Sequence, residues 1–266
     1  LFCSETCHAA SLAVIEPSAF FDASNPHTVA EAKDDIFVIS GAKSLVPLGS
    51  QASHFLVTAR NGERQDAFIV PCDADGLTIS EPEKNLGLKA LTTVGLELER
   101  VEVPKQARLG GDAGADVRRI LDGSRAALSA VMVGVSRAVL EYCVPYAKDR
   151  VAFGRPIIEN QSISFMLADM KTEIDAARLL VHRAAWMGRN NVPFTAGEGS
   201  MSKLKAGRVA VWATERAIQI LGGAGYSREH PVERMHRDSK IYDIFEGTEQ
   251  IQQLVIARAI SGKHLA

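Results

Sequence analysis

The residue with the clearest chemical potential is a single carboxylate set between bulky apolar residues and a glycine. Within residues 241–251, Glu246 follows an Ile-Phe pair and precedes Gly247. A carboxylate among apolar groups loses solvation, which favours its neutral form and raises its pKa. Such a group can remove a weakly acidic carbon-bound proton, and the glycine lets a ligand approach the backbone. The alternative is that Glu246 caps the helix expected to begin near Thr248.

The composition is that of an ordinary globular protein. Of 266 residues, 46% are hydrophobic and 23% are charged, and the formal net charge is −2. A chain without a basic surplus is not expected to bind nucleic acid or an anionic membrane. No apolar run approaches the roughly 20 residues of a membrane-spanning helix. We therefore expect neither a nucleic-acid nor a membrane partner.

The four cysteines do not form the pattern of a disulfide scaffold, which indicates a reducing compartment. Cys3 and Cys7 are followed by His8, which could be half of a metal site. No second Cys/His pair follows, so we expect no metal. The N-terminus has neither an initiator methionine nor a signal pattern, as in the middle of a longer sequence.

The first part of the chain, residues 1–110, has the pattern of short strands. Runs rich in Val, Ile and Phe are separated by Gly, Pro, Asn or Asp. These runs cover residues 11–15, 36–41, 54–60, 67–71, 77–80 and 94–103. Since no helical period intervenes, we expect an antiparallel β-barrel or sandwich.

After a glycine-rich linker at residues 110–114, the apolar period becomes helical. Long helices are expected from about residue 121 to a break at 153–156, around 163–190 and around 194–221, with a short one at 231–239 and a final one from Thr248 to Arg258. Pro145 should bend the last turns of the first helix. Long antiparallel helices with short connections form a bundle. The sequence therefore predicts an α+β protein with a β-domain at 1–110 and a four-helix-type bundle at 111–266.

Four ordered motifs in the helical part resemble those of the acyl-CoA dehydrogenase family. They lie at residues 146–156, 219–226, 237–241 and 246–252, and read YAKDRVAFGRP, QILGGAGY, RDSKI and EGTEQIQ. The strand part is similar to the family more loosely, through Glu16-Pro17 and residues 87–104. The resemblance implies the middle β-domain and the C-terminal helical domain of the family. The family's N-terminal helical domain would precede Leu1.

The resemblance implies an FAD enzyme that desaturates an acyl-CoA thioester between its α and β carbons. A glutamate removes the α-proton while the β-hydrogen leaves as hydride to flavin N5, and Glu246 matches that base. Some members carry the base on the first long helix instead, just before an arginine. Here that position is Ser124, which precedes Arg125 and cannot act as a base.

The resemblance also implies binding roles for further residues. Contacts to FAD fall on Arg150, Phe153, Gln219, Gly222, Gly223, Thr248 and Gln250, and on the backbone at Val46. Asp122 and Arg125 match a pair that meets the CoA portion, and Gly247 gives the substrate access to the backbone. An arginine suits a diphosphate through paired charge-assisted hydrogen bonds, and glycines let backbone N–H groups reach anionic oxygens.

Three of these roles have a plainer alternative. Arg150 would then be an exposed charge at a helix end, and the glycine pair at 222–223 would merely end a helix. Asp122 and Arg125 would form an exposed intrahelical ion pair.

Two loops depart from the family pattern. Phe20 and Phe21 follow the Glu16-Pro17 turn where small polar residues are usual. Residues 43–48 read KSLVPL instead of Lys-x-Trp-Ile-Thr-Asn, so Val46 offers no hydroxyl to the flavin and Ser44 cannot cover its ring. One interpretation is an active dehydrogenase with a remodelled pocket. The alternative is a flavin-poor partner subunit that completes a half-site in a mixed oligomer, and a non-enzymatic scaffold is a third interpretation.

The family also implies partners and a location. Its FAD site uses two subunits, so a homo-oligomer is expected, a dimer or a tetramer built as a dimer of dimers, or a mixed oligomer with a related subunit. The expected electron acceptor is an electron-transfer flavoprotein. Bacterial cytoplasm or the mitochondrial matrix would suit the thiols.

Overall fold

The chain divides into two compact units, Leu1–Arg119 and Ile120–Ala266. The computed structural model describes residues 8–263 except 20 and 24. Cys3, Cys7 and Phe20, which entered the sequence argument, lie outside the described residues. The domain boundary predicted between residues 110 and 111 stays a prediction.

The first unit is a curled seven-stranded sheet. Its strands are β1 (Ala10–Ala13), β2 (Val29–Lys33), β3 (Ile36–Pro47), β4 (His54–Asn61), β5 (Arg64–Pro71), β6 (Leu77–Ile79) and β7 (Thr93–Pro104). The strand order is β1-β4-β2-β3-β7-β6, with β5 paired to β4. Alternate residues of β7 are buried, as expected for a sheet that covers its own core. That core includes Ile39, Phe55, Phe68 and Leu96.

Two details of the sheet differ from the sequence prediction. β1 runs parallel to β4, and β2 makes one parallel pair with β4, so the sheet is mixed rather than antiparallel throughout. The long connection between β1 and β4 allows a parallel pairing that a hairpin cannot make. β2 was missed because its sequence, VAEAK, has a single β-branched residue, Val29, beside two alanines and two charged residues that are rare in strands. It forms through a tight hairpin to β3, with Asp34 at φ +49°.

The second unit is helical. Its elements are α1 (Val117–Asp149), the hairpin β8 (Val151–Ala152) and β9 (Arg155–Pro156), α2 (Gln161–Arg189), α3 (Glu198–Leu221), α4 (Gly223–Tyr226), α5 (Val232–Ser239) and α6 (Glu249–Ser261). α1 begins three residues before the division between the units. Its helical geometry continues through Pro145 to Asp149. The predicted order of a sheet followed by a helical bundle is confirmed.

The helical core is built around α3, whose buried face consists of small residues. Ala206, Ala210, Ala213 and Ala217 are fully buried there, and α2 and α6 pack against α3. Among the larger apolar residues of this helix, Leu204, Val211 and Ile218 are only partly buried, whereas Leu221 at its C-terminal end is buried. Small side chains let neighbouring helices approach closely, so the alanine face is the one that lies inside.

α1 is the one helix, within the described part of the chain, that is long and apolar enough to cross a membrane by length and composition. Only 39% of its most apolar window is buried inside the structure. Met132, Val139 and Cys143 of this helix lie in the helical core. A core helix meets the same criteria, so this finding is weak support for a membrane span.

Candidate active site

The loop that carries Glu246 joins a 3-10 turn, Lys240–Asp243, to the start of α6. We call residues 244–248 the base loop. Glu246 has φ +57° and Gly247 has φ +98°, two successive left-handed conformations. For a residue with a side chain this conformation costs about 1–2 kcal/mol, so the surrounding contacts must hold it.

The Glu246 carboxylate is partly buried and accepts one hydrogen bond from a side chain of α1. The Ser124 hydroxyl donates to Oε1 of Glu246 at 3.0 Å. Burial raises the pKa of Glu246, while the Ser124 hydrogen bond and the charges of Arg125 and Lys203 lower it, and burial prevails. The group is therefore a stronger base than an ordinary glutamate when it is ionised.

The alternative that Glu246 caps α6 is wrong. The N-cap is Thr248, whose hydroxyl accepts a hydrogen bond from the Ile251 N–H at 3.4 Å. Glu246 lies two residues earlier, and its carboxylate points to α1 through Ser124. Gln250, the other predicted residue of this first turn, is exposed.

The backbone of the base loop is held by side chains of three helices. Arg125 Nε of α1 donates to the Glu246 carbonyl at 3.2 Å. Gln252 Nε2 of α6 donates to the carbonyls of Glu246 and Gly247 at 2.8 and 3.0 Å. Lys203 Nζ of α3 donates to the Gly247 carbonyl at 2.8 Å. We call these three donors and two carbonyls the carbonyl clamp.

Asp122 and Arg125 form the predicted pair on α1. Arg125 Nη1 lies 3.0 Å from Asp122 Oδ1. Both side chains are partly buried, so this is not the exposed intrahelical ion pair that was the alternative interpretation. Arg125 also contacts the base loop, which places this pair next to Glu246. Contact with CoA stays a prediction.

Five predicted cofactor residues are exposed at the opposite end of α1. They are Arg150, Phe153, Gln219, Gly222 and Gly223. Phe153 is 99% exposed in the turn between β8 and β9. A Cβ atom built on either glycine would meet nothing within 4 Å. Gly222 also ends α3 with φ +60°, so helix termination and ligand access are both served by this glycine.

Two groups of predicted residues therefore lie at opposite ends of one helix. The Tyr146 hydroxyl donates to the Leu221 carbonyl at 3.4 Å, which joins the C-terminal ends of α1 and α3. Ser124, beside Glu246, and Asp149, the last residue of α1, are about 38 Å apart along a straight helix. The chain does not bring the two groups together.

Val46 belongs to the first unit, where its side chain is buried in the sheet core. Only its backbone is thus available for a cofactor. The neighbouring Leu45 is 47% exposed with φ +53°, at the irregularity where β3 changes register against β7. Leu45, rather than Ser44 or Val46, is the side chain of this run that could cover a ring.

Near Val46, Lys43 and Glu16 form a buried ion pair at 2.9 Å. Lys43 also donates to the Val14 carbonyl and the Thr58 hydroxyl. Burial alone would raise the pKa of Glu16, but hydrogen bonds from Thr28 and Lys43 hold it below its usual range. This pair fixes the end of the segment after β1 against β3.

Sequence reasoning did not identify Lys203 and Gln252. Lys203 lies on α3 in register with Ala206 and Ala210, so a charge on the core-facing side of that helix was a signal available in the sequence. Gln252 was included only as part of a motif. Its Oε1 has no hydrogen-bond partner among the described residues.

Other features of the described residues carry less chemistry. No cluster of three or more His, Cys, Asp or Glu side chains suited to a metal is found in residues 8–263 outside the two gaps. Burial raises the pKa of the Cys143 thiol to about 12. A groove of about 660 Å³ lies between α2, α3 and Ile256 of α6, and its lining does not include Glu246.

Comparisons with known proteins match both units. The profile of the acyl-CoA dehydrogenase middle domain matches residues 11–101, and that of the acyl-CoA dehydrogenase C-terminal domain matches residues 114–261. The chain is similar to a probable acyl-CoA dehydrogenase of Bacillus subtilis, with 43% identity over 259 residues. That alignment covers 94% of this chain and 68% of the relative.

Two solved structures resemble the chain closely. The structure of butyryl-CoA dehydrogenase from Megasphaera elsdenii gives a TM-score of 0.88 at 37% identity, over 95% of this chain and 68% of that one. A chain in a structure described as the electron transferring flavoprotein of Acidaminococcus fermentans gives a TM-score of 0.89 at 35% identity, with the same coverage. The chain thus spans about two thirds of the length of these relatives.

Proposed function

Because the chain belongs to the acyl-CoA dehydrogenase family of flavin-dependent oxidoreductases, we propose that it catalyses α,β-desaturation of an acyl-CoA thioester with Glu246 as the base. The family and enzyme class predicted from the sequence are confirmed. The residue roles given below are our proposals. The observation that supports Glu246 as the base is that its carboxylate is partly buried and that burial raises its pKa.

The proposed reaction depends on Glu246 accepting the α-proton of the thioester. Burial makes its carboxylate more basic, and the Ser124 hydroxyl at 3.0 Å orients one of its oxygens. The carbonyl clamp fixes the backbone from which the carboxylate projects. FAD, when bound, supplies the acceptor for the hydride that leaves the β-carbon.

The residues at the far end of α1 fit the diphosphate portion of FAD. Arg150 offers a guanidinium, and the exposed glycine pair at 222–223 leaves room for an anionic group against the backbone. The exposed Phe153 offers a ring for stacking or packing. Thr248 and Gln250 would serve a second FAD, at the base-loop end.

The separation of the two groups supports an oligomer. A distance of about 38 Å along α1 is longer than one dinucleotide cofactor can bridge. As the family resemblance implies, Arg150, Phe153 and Gln219 would contact the FAD of a neighbouring copy, while Glu246 acts with the FAD of its own chain, and the separation agrees with this arrangement. The nearly complete exposure of Phe153 agrees with a surface covered by another subunit.

The relatives suggest the substrate and the electron acceptor. Similarity to butyryl-CoA dehydrogenase favours a short acyl group, and Asp122 with Arg125 would meet the CoA portion beside the base loop. Similarity to a chain in an electron transferring flavoprotein structure favours such a flavoprotein as the acceptor. The bacterial cytoplasm or the mitochondrial matrix stays the predicted location.

The test combines the visible spectrum with one substitution. The purified protein should show flavin absorption that bleaches when butyryl-CoA is added. Glu246→Gln should keep the flavin and still bind the thioester, but lose bleaching by about 1,000-fold or more, because the amide cannot accept the proton. Glu215→Gln, an exposed glutamate of α3, is the matched control.

Unchanged bleaching in Glu246→Gln would remove Glu246 as the base. A colourless wild-type protein that gains flavin only with a related subunit would instead support the role of a partner subunit. The departure at Leu45 and Val46 is the feature that favours that second function.

A further inference from the structure

Lys203 is a buried charge with an unusual set of contacts. Its side chain is 1% exposed. In the described part of the chain its ammonium makes one hydrogen bond, to the Gly247 carbonyl at 2.8 Å, and no carboxylate lies within 4 Å of it. An ammonium has three N–H donors, and burying one without a close counter-ion is unfavourable. Packing alone would favour an apolar residue here, next to Ala206.

Burial disfavours the charged form of Lys203. Desolvation lowers the pKa of Lys203 to about 8, although the charges of Asp243, Glu249 and Glu246 raise it. Arg125 lowers it further. With a pKa of about 8 the lysine remains mostly cationic at neutral pH, although burial disfavours its charge, and this combination points to a role other than packing.

Among the described residues, the one hydrogen bond of the Lys203 ammonium goes to the carbonyl of Gly247, the residue after Glu246. Gly247 has φ +98°, and a Cβ atom at this position would lie 2.7 Å from Gln252 Nε2. The Gly247 carbonyl accepts from both Lys203 and Gln252, and the Glu246 carbonyl accepts from Arg125 and Gln252. Both lone pairs of each carbonyl are therefore engaged, which fixes the orientation of two successive peptide groups.

We propose that Lys203 is a positioning residue for Glu246: together with Gln252 it grips the Gly247 carbonyl and keeps the base loop in the left-handed turn that aims the Glu246 carboxylate. This inference rests on the proposed role of Glu246 as the base. Lys203 does not touch the carboxylate through any hydrogen bond in the structure. It acts through the backbone and through its charge, which favours the ionised form of Glu246.

The charge gives the proposal a signature that packing would not produce. The groups that face Glu246 are Ser124 and Arg125 from α1 and Lys203 from α3, and each of them favours the ionised carboxylate. Loss of the Lys203 charge should therefore raise the pKa of Glu246. In a plot of kcat/KM against pH, the acidic limb, along which the base becomes ionised, should then move to higher pH. Loss of Gln252, a neutral group, should loosen the loop without moving that limb.

The experiment compares Lys203→Met with Lys205→Met in the flavin-loaded protein. Methionine has nearly the length of lysine without its charge, and Lys205 lies two residues along α3, where it pairs with Glu173 instead. In Lys203→Met we expect kcat to fall about 10- to 100-fold with KM within about threefold, as for a misaligned catalytic group. The acidic limb should also move to higher pH, and Lys205→Met should show neither change.

Gln252→Met is the second variant, and it keeps the proposal testable if Lys203→Met does not fold. It should lower kcat with the acidic limb unchanged. A kcat within twofold of wild type in either folded variant, or an acidic limb in Lys203→Met equal to that of Lys205→Met, would overturn the proposal. These results are distinct from failure of Glu246 as the base, which would show first as unchanged bleaching in Glu246→Gln.

Hydrogen exchange tests the clamp without turnover. The backbone amides of residues 244–252 should exchange faster in Lys203→Met than in Lys205→Met, because the held turn opens more often. Equal exchange in the two variants would contradict the clamp even if the protein desaturated no acyl thioester.

Discussion

Removal of the Ser124 hydroxyl tests the electrostatics of the candidate base directly. Ser124 donates to a partly buried carboxylate at 3.0 Å. A hydrogen bond to a charged group contributes about 1.5–3 kcal/mol, and partial exposure places this bond near the lower value. Serine to alanine within a helix returns about 0.5 kcal/mol of helix propensity. We therefore expect Ser124→Ala to reduce the free energy of unfolding by about 1 kcal/mol at pH 7.

The assay is a double-mutant cycle between Ser124→Ala and Glu246→Ala, followed by urea unfolding. The cycle cancels helix propensity and leaves a coupling energy of about 1.5 kcal/mol at pH 7. Ser164→Ala is the control for helix propensity, because Ser164 of α2 is a partly buried serine whose hydroxyl donates to its own helix backbone. Ser124→Thr, which keeps a hydroxyl, should retain most of the coupling.

The coupling energy between Ser124 and Glu246 should change with pH in a definite direction. Because burial raises the pKa of Glu246 above its ordinary value, the protonated group favours the folded state at low pH, and this contribution is lost as the pH rises through the raised pKa. The Ser124 bond opposes that loss, since it favours the ionised form. The coupling energy should therefore grow as the pH rises through the raised pKa and then stay constant.

Two results would refute this reasoning. A coupling energy near zero at pH 7 would mean that Ser124 does not bond the carboxylate in solution. A coupling energy that is the same at pH 4 and pH 8 would mean that Glu246 does not change ionisation in this range.

Further changes probe the two units. Lys43→Met should lower the urea midpoint through a loss of about 3–5 kcal/mol, because Glu16 would remain buried without its counter-ion; Lys105→Met, in an exposed pair, should change it by less than about 1 kcal/mol. Gly207→Ala should destabilise the helical unit by about 1–3 kcal/mol in the same assay, because the new Cβ would lie 2.8 Å from the Tyr242 carbonyl in the turn before the base loop. An unchanged urea midpoint would contradict the reasoning: in Lys43→Met it would show that the Lys43–Glu16 pair does not contribute to stability, and in Gly207→Ala that the backbone near Tyr242 accommodates the added methyl group.

Much of the architecture could be predicted from local pattern alone. The period of two in β7 and the helical period of α1 and α2 gave the α+β order, since the period of burial follows from backbone geometry. β2 was missed, because the charges in its short sequence hide a strand that forms only by pairing with β3 and β4. The motif around Glu246 also marked the candidate base, because a carboxylate among apolar residues is visible in one dimension.

Tertiary structure alone decided what surrounds that base. Ser124, Lys203 and Gln252 come from three helices, and only packing brings them to one loop. The structure likewise turned the alanine face of α3 inward and left Leu45 of β3 47% exposed. The sequence shows which side chain can ionise. The pKa of that side chain and the way its carboxylate points depend on burial and on hydrogen-bond donors far away along the chain, and this environment exists only once the helices have packed.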